Sequence, residues 1–286
     1  MTTHKTFTFK SSNVPDLTVN RLGFGAMRIT GPGVWDYPAD IDNAIKVLNR
    51  SKELGVDFID TADSYGPETS EDLIARALHP YGNIVIATKA GLTRQGPDVW
   101  TAVGNPNYLK QCLELSLRRL KTDSIDLYQL HRIDGNYPLE DQLGVFKTAQ
   151  EEGKIKHIGL SEVSVEQLHE AQKIVNIASV QNLYNVGNRQ SEAVLQECEK
   201  QNIGFIPWFP IGGRSISDMA DQLDAISKRT GHTHAQLSLA WLLQKSPVML
   251  PIPGTSSIAH LEENMKASEI TLDAQTIAEL DAIATI

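Results

Sequence analysis

Composition and charge place this chain of 286 residues among ordinary globular proteins. Hydrophobic residues make up 41% and charged residues 21%, and 26 basic against 35 acidic residues give a formal net charge of −9. An acidic chain without a basic stripe is a poor binder of nucleic acid and of anionic membranes. The chain starts without the apolar core of a signal peptide and has no run long enough to span a bilayer, so we expect a cytoplasmic protein.

Short apolar runs alternate with amphipathic stretches from residue 22 onwards. Several of these runs show little polar alternation, which is typical of parallel strands covered on both faces. The strands predicted in this way are residues 22–25, 58–61, 84–88, 125–131, 156–161, 178–182, 204–208 and 249–252.

Amphipathic helices are predicted between the strands. Apolar residues recur at positions 41, 44, 45 and 48, which is the spacing of one helix face. The segment 217–244 is long enough for two helices interrupted near Gly231, and residues 273–284 predict a last helix. Cys112 and Cys198 both fall in helical patterns, which favours buried thiols over a disulfide.

This alternation predicts an α/β fold, a closed (β/α)8 TIM barrel that forms a single domain over residues 1–286. Eight strand–helix units in about 250 residues suit a barrel better than an open sheet. An open dinucleotide-binding sheet usually carries a third glycine after a pair such as Gly23 and Gly25, and this chain lacks it at the required spacing.

Four polar residues fall at the carboxyl ends of predicted strands, where the active sites of barrel enzymes lie. Asp60 and Tyr65 belong to the second strand and the turn after it, Lys89 ends the third strand, and His131 ends the fourth. Because all four converge on one rim, we interpret them as a catalytic group.

These residue types suit the reduction of a carbonyl group, which needs a hydride and a proton on the oxygen. A tyrosine hydroxyl has an ordinary pKa of about 10, and a neighbouring ammonium lowers it. We therefore expect Lys89, held by Asp60, to lower the pKa of Tyr65 so that Tyr65 acts as the acid. His131 would donate a hydrogen bond to the substrate oxygen and orient it.

Three segments, in chain order, resemble the aldo-keto reductase family: Asp60-Thr-Ala-Asp-Ser-Tyr65-Gly66, Ala87-Thr-Lys89 and Asp126-Leu-Tyr-Gln-Leu-His131. The likeness extends from residue 22 to about residue 265. It implies a (β/α)8 barrel that binds an extended nicotinamide cofactor, and it identifies Tyr65, Lys89, Asp60 and His131 as the catalytic tetrad.

The resemblance also implies which residues hold the nicotinamide. Ser161 and Gln181 match positions that bind the carboxamide, and Trp208 matches an aromatic ring that stacks on the nicotinamide. The family usually has Asn after the serine, but this chain has Glu162, and a carboxylate cannot donate to the carboxamide oxygen. The loop expected beside the pyrophosphate contains Pro210, Ile211, Gly212 and Arg214, the last as a cation.

The resemblance also implies that the phosphates and the adenine of the cofactor contact the segment before the helix that follows the last strand, and the helix itself. Backbone N–H groups at the start of a helix bind phosphate readily. Many relatives carry Lys and Arg at the 2′-phosphate, whereas this chain has Gly254 and His260. NADPH is the expected cofactor because relatives with this variant still use it, and NADH stays an alternative. The residues implied here are Gly254, Thr255, Ser256, Ser257, His260, Glu263 and Asn264.

The expected partner is a small-molecule carbonyl compound, most simply a small aldehyde. Trp35, Tyr37 and Trp100 lie in predicted loops and are candidates for the pocket wall. Gly-Pro-Gly-Val near position 33 and Ile-Pro-Gly-Thr-Ser-Ser from position 252 resemble a bacterial branch of the family that includes pyridoxal reductases. Pyridoxal is therefore the most specific substrate candidate.

Two other functions stay open. A redox-sensing partner protein that binds the cofactor and turns over little would share the tetrad. A metal-dependent barrel hydrolase would need several His and Asp ligands at strand ends, where His131 stands almost alone. No metal is expected at His232 and His234, because these residues begin a helix rather than end a strand.

Overall fold

Parallel strands curl around one axis in the computed structural model, which describes residues 5–11, 14–212 and 220–283. The strands are β1 (Thr6–Phe9), β2 (Leu17–Asn20), β3 (Phe24–Gly25), β4 (Phe58–Asp60), β5 (Val85–Ala90), β6 (Leu92–Gly96), β7 (Val99–Ala102), β8 (Ile125–Leu130), β9 (Ile155–Ser161), β10 (Ser179–Leu183) and β11 (Gly204–Trp208). The main sheet has the order β3, β4, β5, β8, β9, β10, β11, and all its neighbours pair in parallel.

Residues 249–252, which come after β11 in the chain, close this sheet into a barrel. On one side, the backbone N–H of Leu250 donates to the carbonyl of Phe205 on β11 at 2.8 Å. On the other side, Gly23 donates to the carbonyl of Pro251 at 2.9 Å, just before β3. The predicted (β/α)8 barrel is therefore confirmed, although residues 249–252 form only an isolated bridge, because a proline such as Pro251 has no N–H to donate.

Helices cover the outside of the barrel, and several of them begin at polar caps. The Asp40 carboxylate accepts from the backbone of Asn43 at 2.8 Å, and Ser164 and Thr233 each start a helix with a capping box. The helices are α1 (Ile41–Glu53), α2 (Thr69–Leu78), α3 (Pro106–Leu120), α4 (Leu139–Glu151), α5 (Val165–Gln172), α6 (Glu192–Gln201), α7 (Ala220–Thr230), α8 (His234–Lys245), α9 (Ile258–Met265) and α10 (Ala274–Asp281). None of the helices within the described ranges is long and apolar enough to cross a membrane.

Several local predictions agree with these bounds. The interruption expected near Gly231 separates α7 from α8, and Gly231 has a φ of +75°, which favours glycine. Cys112 on α3 and Cys198 on α6 are buried free thiols, as predicted.

Two antiparallel hairpins were not predicted. The first, β1–β2, closes the amino-terminal end of the barrel, where the Phe9 ring lies 5.9 Å from the Phe58 ring and 6.1 Å from the His157 ring. The second, β6–β7, follows β5 and rises beside the carboxyl ends of the strands. The chain therefore has a hairpin at each end of the barrel.

Candidate active site

The carboxyl ends of the barrel strands surround a cavity of about 710 Å³. Lys89 on β5 pairs in register with Gln129 on β8, and the backbone N–H of His131 donates to the carbonyl of Ala90 at 2.8 Å, one step beyond β8. The predicted site residues in the cavity wall are Asp60, Tyr65, Trp100, His131, Ser161, Gln181, Trp208, Pro210, Ile211 and Gly254.

A buried ion pair contacts the hydroxyl of Tyr65. Lys89 Nζ lies 2.6 Å from Asp60 Oδ1 and 3.4 Å from the Tyr65 oxygen, and it donates to the Thr61 carbonyl at 2.7 Å. Lys89 is 0% exposed and Asp60 1%, whereas Tyr65 is 7% exposed and lines the cavity. All three N–H donors of the ammonium thus have acceptors.

The second carboxylate oxygen of Asp60 is held by two amides. Gln129 Nε2 and Gln181 Nε2 donate to Asp60 Oδ2 at 3.2 Å and 2.8 Å. A buried carboxylate is costly unless it is paired and hydrogen-bonded, so these amides offset part of the cost of burying Asp60. Gln129 was not predicted; its available signal was an amide within a predicted strand, two residues before His131.

The pKa of Tyr65 is raised above its usual value, so the expectation that Lys89 would lower it overall was wrong. Burial is the largest cause because it disfavours the phenolate, and the opposing charge of Lys89 is too weak to reverse it. Burial also lowers the pKa of Lys89, but its partners Asp60 and Tyr65 outweigh this effect, and the pKa of Lys89 is raised. Near neutral pH, Tyr65 is a protonated hydroxyl and Lys89 is an ammonium.

His131 is a neutral imidazole in this site. Burial, followed by the charge of Lys89, lowers the pKa of His131 well below its usual value. Its Nδ1 lies 3.3 Å from Ser64 Oγ, and its ring lies 5.8 Å from the Tyr65 ring, nearly perpendicular. A serine hydroxyl that donates to Nδ1 leaves the imidazole proton on Nε2. Two neutral donors, a phenol and an imidazole, can then meet one acceptor oxygen in the cavity.

Ser161, Gln181 and Trp208 line one side of the cavity, near the ends of the consecutive strands β9, β10 and β11. Glu162 follows Ser161 with a φ of +55°. Its carboxylate accepts from the Trp208 indole at 2.5 Å and from the backbone N–H of Leu183 at 2.7 Å. The acidic residue that departs from the family pattern therefore holds the indole ring in place.

Two arginines in the cavity wall were not predicted. Arg132 Nη1 donates to the carbonyl of His131 at 2.6 Å and to Ser161 Oγ at 3.0 Å. Arg28 is exposed, and its guanidinium lies 6.0 Å from the centre of the Phe209 ring. The position of Arg132, one residue beyond the predicted strand 125–131, was the only signal for it in the sequence.

The loop after β11 continues the cavity wall beyond Trp208. Pro210 and Ile211 line the cavity. Gly212 has a φ of +92°, and its N–H donates to the carbonyl of Phe209 at 2.8 Å, a turn that favours glycine. Arg214, predicted as a cation beside the pyrophosphate, lies outside the described residues.

A second cavity, of about 520 Å³, adjoins the first and contains part of the predicted phosphate segment. Gly254, Thr255 and Ser256 line it together with Arg28. A Cβ atom at position 254 would lie 2.6 Å from the carbonyl oxygen of Gly25, so a side chain does not fit there. Among the described residues of this wall, Arg28 supplies the positive charge.

The remaining predicted cofactor residues lie at and within helix α9 and do not line either cavity. Ser257 caps the helix, and its hydroxyl accepts from the backbone N–H of His260 at 3.4 Å. The His260 side chain is exposed, whereas Asn264 is buried. The Glu263 carboxylate accepts from the Thr233 hydroxyl at 2.6 Å, which ties α9 to the start of α8.

Trp100 lies in the cavity wall, on strand β7 rather than in the predicted loop. Its ring lies 6.2 Å from the Tyr65 ring at an angle of 85°. Trp35 and Tyr37, also predicted for the wall, lie beside the cavity instead. The backbone of Trp35 forms a bridge with the residue after Tyr65, and the exposed hydroxyl of Tyr37 donates to Asp72 at 2.8 Å.

In the part of the chain that the structure describes, no group of three or more His, Cys, Asp or Glu side chains is arranged to hold a metal ion. His234 instead lies 2.9 Å from the carboxylate of Asp224.

Comparison with known proteins identifies the family. The model of the aldo/keto reductase family matches residues 21–285, almost the whole chain. The chain therefore belongs to the aldo/keto reductase family and is an NAD(P)H-dependent oxidoreductase.

Individual relatives agree with this assignment. The chain is 50% identical over 268 residues to an uncharacterized oxidoreductase of Schizosaccharomyces pombe, covering 94% of this chain and 88% of the relative. It is 41% identical over 279 residues to pyridoxine 4-dehydrogenase of Escherichia coli, covering 93% and 95%. A solved aldo/keto reductase of Klebsiella pneumoniae in complex with NADPH has a TM-score of 0.78 at 27% identity, covering 92% and 90% of the chains. The predicted resemblance is confirmed, and the Escherichia coli relative agrees with the pyridoxal-reductase-like branch.

Proposed function

We propose that this protein reduces small aldehydes with a hydride from NADPH and that Tyr65 donates the proton to the carbonyl oxygen. The observation that carries the proposal is the contact between the Tyr65 hydroxyl and the buried Lys89–Asp60 ion pair at the wall of a cavity. The ammonium lies 3.4 Å from the oxygen that would carry negative charge after the proton leaves.

The donors and acceptors of the cavity fit a nicotinamide. Gln181 donates to the ion pair with its amide nitrogen, which leaves its amide oxygen to accept from a carboxamide. Ser161 accepts from Arg132, which leaves its hydroxyl hydrogen for a carboxamide oxygen. Glu162 holds Trp208, whose ring offers a flat apolar face. When bound there, reduced nicotinamide supplies the hydride.

The residues of the tetrad would orient and protonate the substrate. Neutral His131 donates from Nε2 to the carbonyl oxygen, and the Tyr65 hydroxyl donates to the same atom. As charge develops on that oxygen, the Tyr65 proton transfers to it. Lys89 stabilises the resulting phenolate and keeps its own protons, because Asp60 lies 2.6 Å away.

NADPH is proposed over NADH because of the donors in the second cavity. Arg28 offers a guanidinium there, and Thr255 and Ser256 offer hydroxyl groups, which together suit an additional phosphate. With a net charge of −9, the chain offers no overall attraction for an anionic cofactor, so local donors must hold it. The complex of the Klebsiella relative with NADPH supports the same choice.

Pyridoxal is proposed as one of the aldehydes. The cavity wall that contains Tyr65 also includes Val34, Leu92 and Trp100, whose apolar surfaces suit a flat ring. The likeness to the Escherichia coli pyridoxine 4-dehydrogenase, at 41% identity, supports this choice.

Oxidation of NADPH and of NADH, measured side by side with a panel of aldehydes that includes pyridoxal, tests the proposal. We expect steady turnover with NADPH, with pyridoxal among the accepted aldehydes. Tight binding of NADPH without turnover of any aldehyde would contradict the proposal and favour a redox-sensing partner protein. An equal catalytic efficiency with NADH and NADPH would contradict only the proposed choice of cofactor.

A further inference from the structure

We propose that Arg94 is a positioning residue for carbonyl reduction, which holds Ser64 against His131 and Trp100 against Tyr65. The inference rests on the proposed function, since it concerns the alignment of the same two proton donors. Arg94 lies on strand β6 of the second hairpin, outside the motifs that define the family resemblance.

All five N–H groups of the Arg94 guanidinium donate to backbone carbonyls, at distances from 2.6 to 3.4 Å. The acceptors are Gly33, Val34, Ser64, Gly96 and Val99. They belong to three segments: the loop after β3, the turn after β4 that leads into Tyr65, and the hairpin β6–β7 itself. One side chain therefore fixes three segments that surround the substrate end of the cavity.

The flat face of the guanidinium also holds an indole ring. Its Cζ atom lies 3.6 Å from the centre of the Trp100 ring and 5.7 Å from that of Trp35. A guanidinium stacks on an aromatic face in a way that a lysine ammonium cannot reproduce. Because the Trp100 ring packs against the Tyr65 ring in a T-shaped arrangement, Arg94 determines one wall beside the proton donor.

Ser64 connects Arg94 to His131. The carbonyl of Ser64 accepts from Arg94 Nη1 at 2.8 Å, and its hydroxyl lies 3.3 Å from His131 Nδ1. That second distance is already near the limit of a hydrogen bond, so a small shift of the Ser64 backbone breaks it. We assign the Ser64 hydroxyl as the donor in this contact, which places the imidazole proton on Nε2, and only the Nε2–H form can donate to the substrate. Without this contact the proton can lie on either nitrogen.

The test compares Arg94→Gln with Arg118→Gln, a matched loss of charge at an exposed position on the outer helix α3. NADPH affinity, measured by quenching of tryptophan fluorescence, reports whether the folded cofactor site is intact. Nitrogen NMR of labelled histidine, assigned with a His131→Gln variant, reports which ring nitrogen of His131 carries the proton. Steady-state kinetics with an accepted aldehyde gives kcat and KM separately.

We expect Arg94→Gln to bind NADPH as tightly as the wild type and to lose kcat by on the order of 100-fold, because a displacement of about 1 Å suffices for such a loss. His131 should change from the Nε2–H form to a mixture of forms. Ser64→Ala should give the same NMR change with a smaller loss of kcat, since Trp100 stays in place. Arg94→Lys, with three donors and no planar face, should recover part of the activity at most.

Unchanged kcat and an unchanged His131 spectrum in Arg94→Gln would overturn the inference. So would a loss of NADPH binding that matches the loss of activity, because it would assign Arg94 a general structural role. If the wild type turns over no aldehyde, the proposed function fails on its own, and the NMR comparison still decides whether Arg94 sets the state of His131.

Discussion

Tyr65 is subject to opposing effects of burial and charge. Burial raises its pKa although an ammonium lies 3.4 Å from its oxygen. A proton donor must be protonated at rest, and it needs a nearby cation only while its proton is leaving. We therefore infer that Lys89 acts mainly on the transition state, where the phenolate develops, and less on the resting hydroxyl.

Substitution of Lys89 separates its structural and catalytic effects. Lys89→Met leaves Asp60 as an unpaired buried charge, and we expect the free energy of unfolding in urea to fall by about 3–5 kcal/mol. The rate of aldehyde reduction should fall by on the order of 100- to 10,000-fold, because the phenolate loses its cation.

The double variant Lys89→Met/Asp60→Asn is the control, since it removes the unpaired charge as well. Its stability should return towards that of the wild type while its rate stays low. If the rate recovers together with the stability, Lys89 has only a structural role.

The buried carboxyl group of Asp63, two residues before Tyr65, leads us to predict that the stability of the fold depends on pH. Asp63 is buried, and Oδ1 has no hydrogen-bond partner within the described part of the chain. Burial, followed by the charge of Glu71, raises the pKa of Asp63 from 3.8 to about 8. Because the folded-state pKa is the higher one, the stability linked to this proton is fully present below pH 3.8 and is lost as the pH rises towards about 8.

Asp63→Asn removes this titration with little change of shape. Relative to the wild type, we expect the variant to gain stability as the pH rises from 3.8 to about 8, in thermal unfolding measured across that range. A difference in stability that does not vary with pH would contradict the raised pKa of Asp63.

At the scale of elements, the barrel strands could be predicted because their signal is local. A run of apolar residues is buried on both faces of a parallel strand, so β8 to β11 begin and end within two residues of the predicted bounds. The hairpin β6–β7 carries polar residues on both strands and lacks such a run, as its exposed and half-buried pattern shows. Its position depends instead on contacts such as that between Arg94 and Val34.

The candidate site was predictable where a residue's role follows from its strand position. The tetrad residues stand at strand ends or, for Tyr65, in the turn after a strand, which the sequence pattern indicates directly. Ser64 and Arg94 act on tetrad residues through distances between elements that are far apart in the chain, and such distances have no local signal. The direction of the Tyr65 pKa shift was mispredicted for the same reason, since burial depends on the whole barrel.

At the scale of the whole molecule, one end of the barrel stabilises the fold and the other end contains the candidate active site. The hairpin β1–β2 packs aromatic rings against the amino-terminal end, whereas the tetrad and the two cavities lie at the other end. This separation is usual in barrel enzymes, where one face stabilises the fold and the other carries the chemistry. The chain is acidic overall, but Arg28 and Arg132 lie in the cavity wall. The proposed cofactor site therefore has local positive charge.

Reduction of pyridoxal in a single turnover, started from the preformed NADPH complex, tests the central claim most directly. Tyr65→Phe removes only the hydroxyl that we assign as the proton donor. We predict that both proteins bind NADPH equally well and that the loss of nicotinamide absorbance is slower in Tyr65→Phe by on the order of 100- to 10,000-fold. Equal single-turnover rates in the two proteins would contradict the assignment of Tyr65.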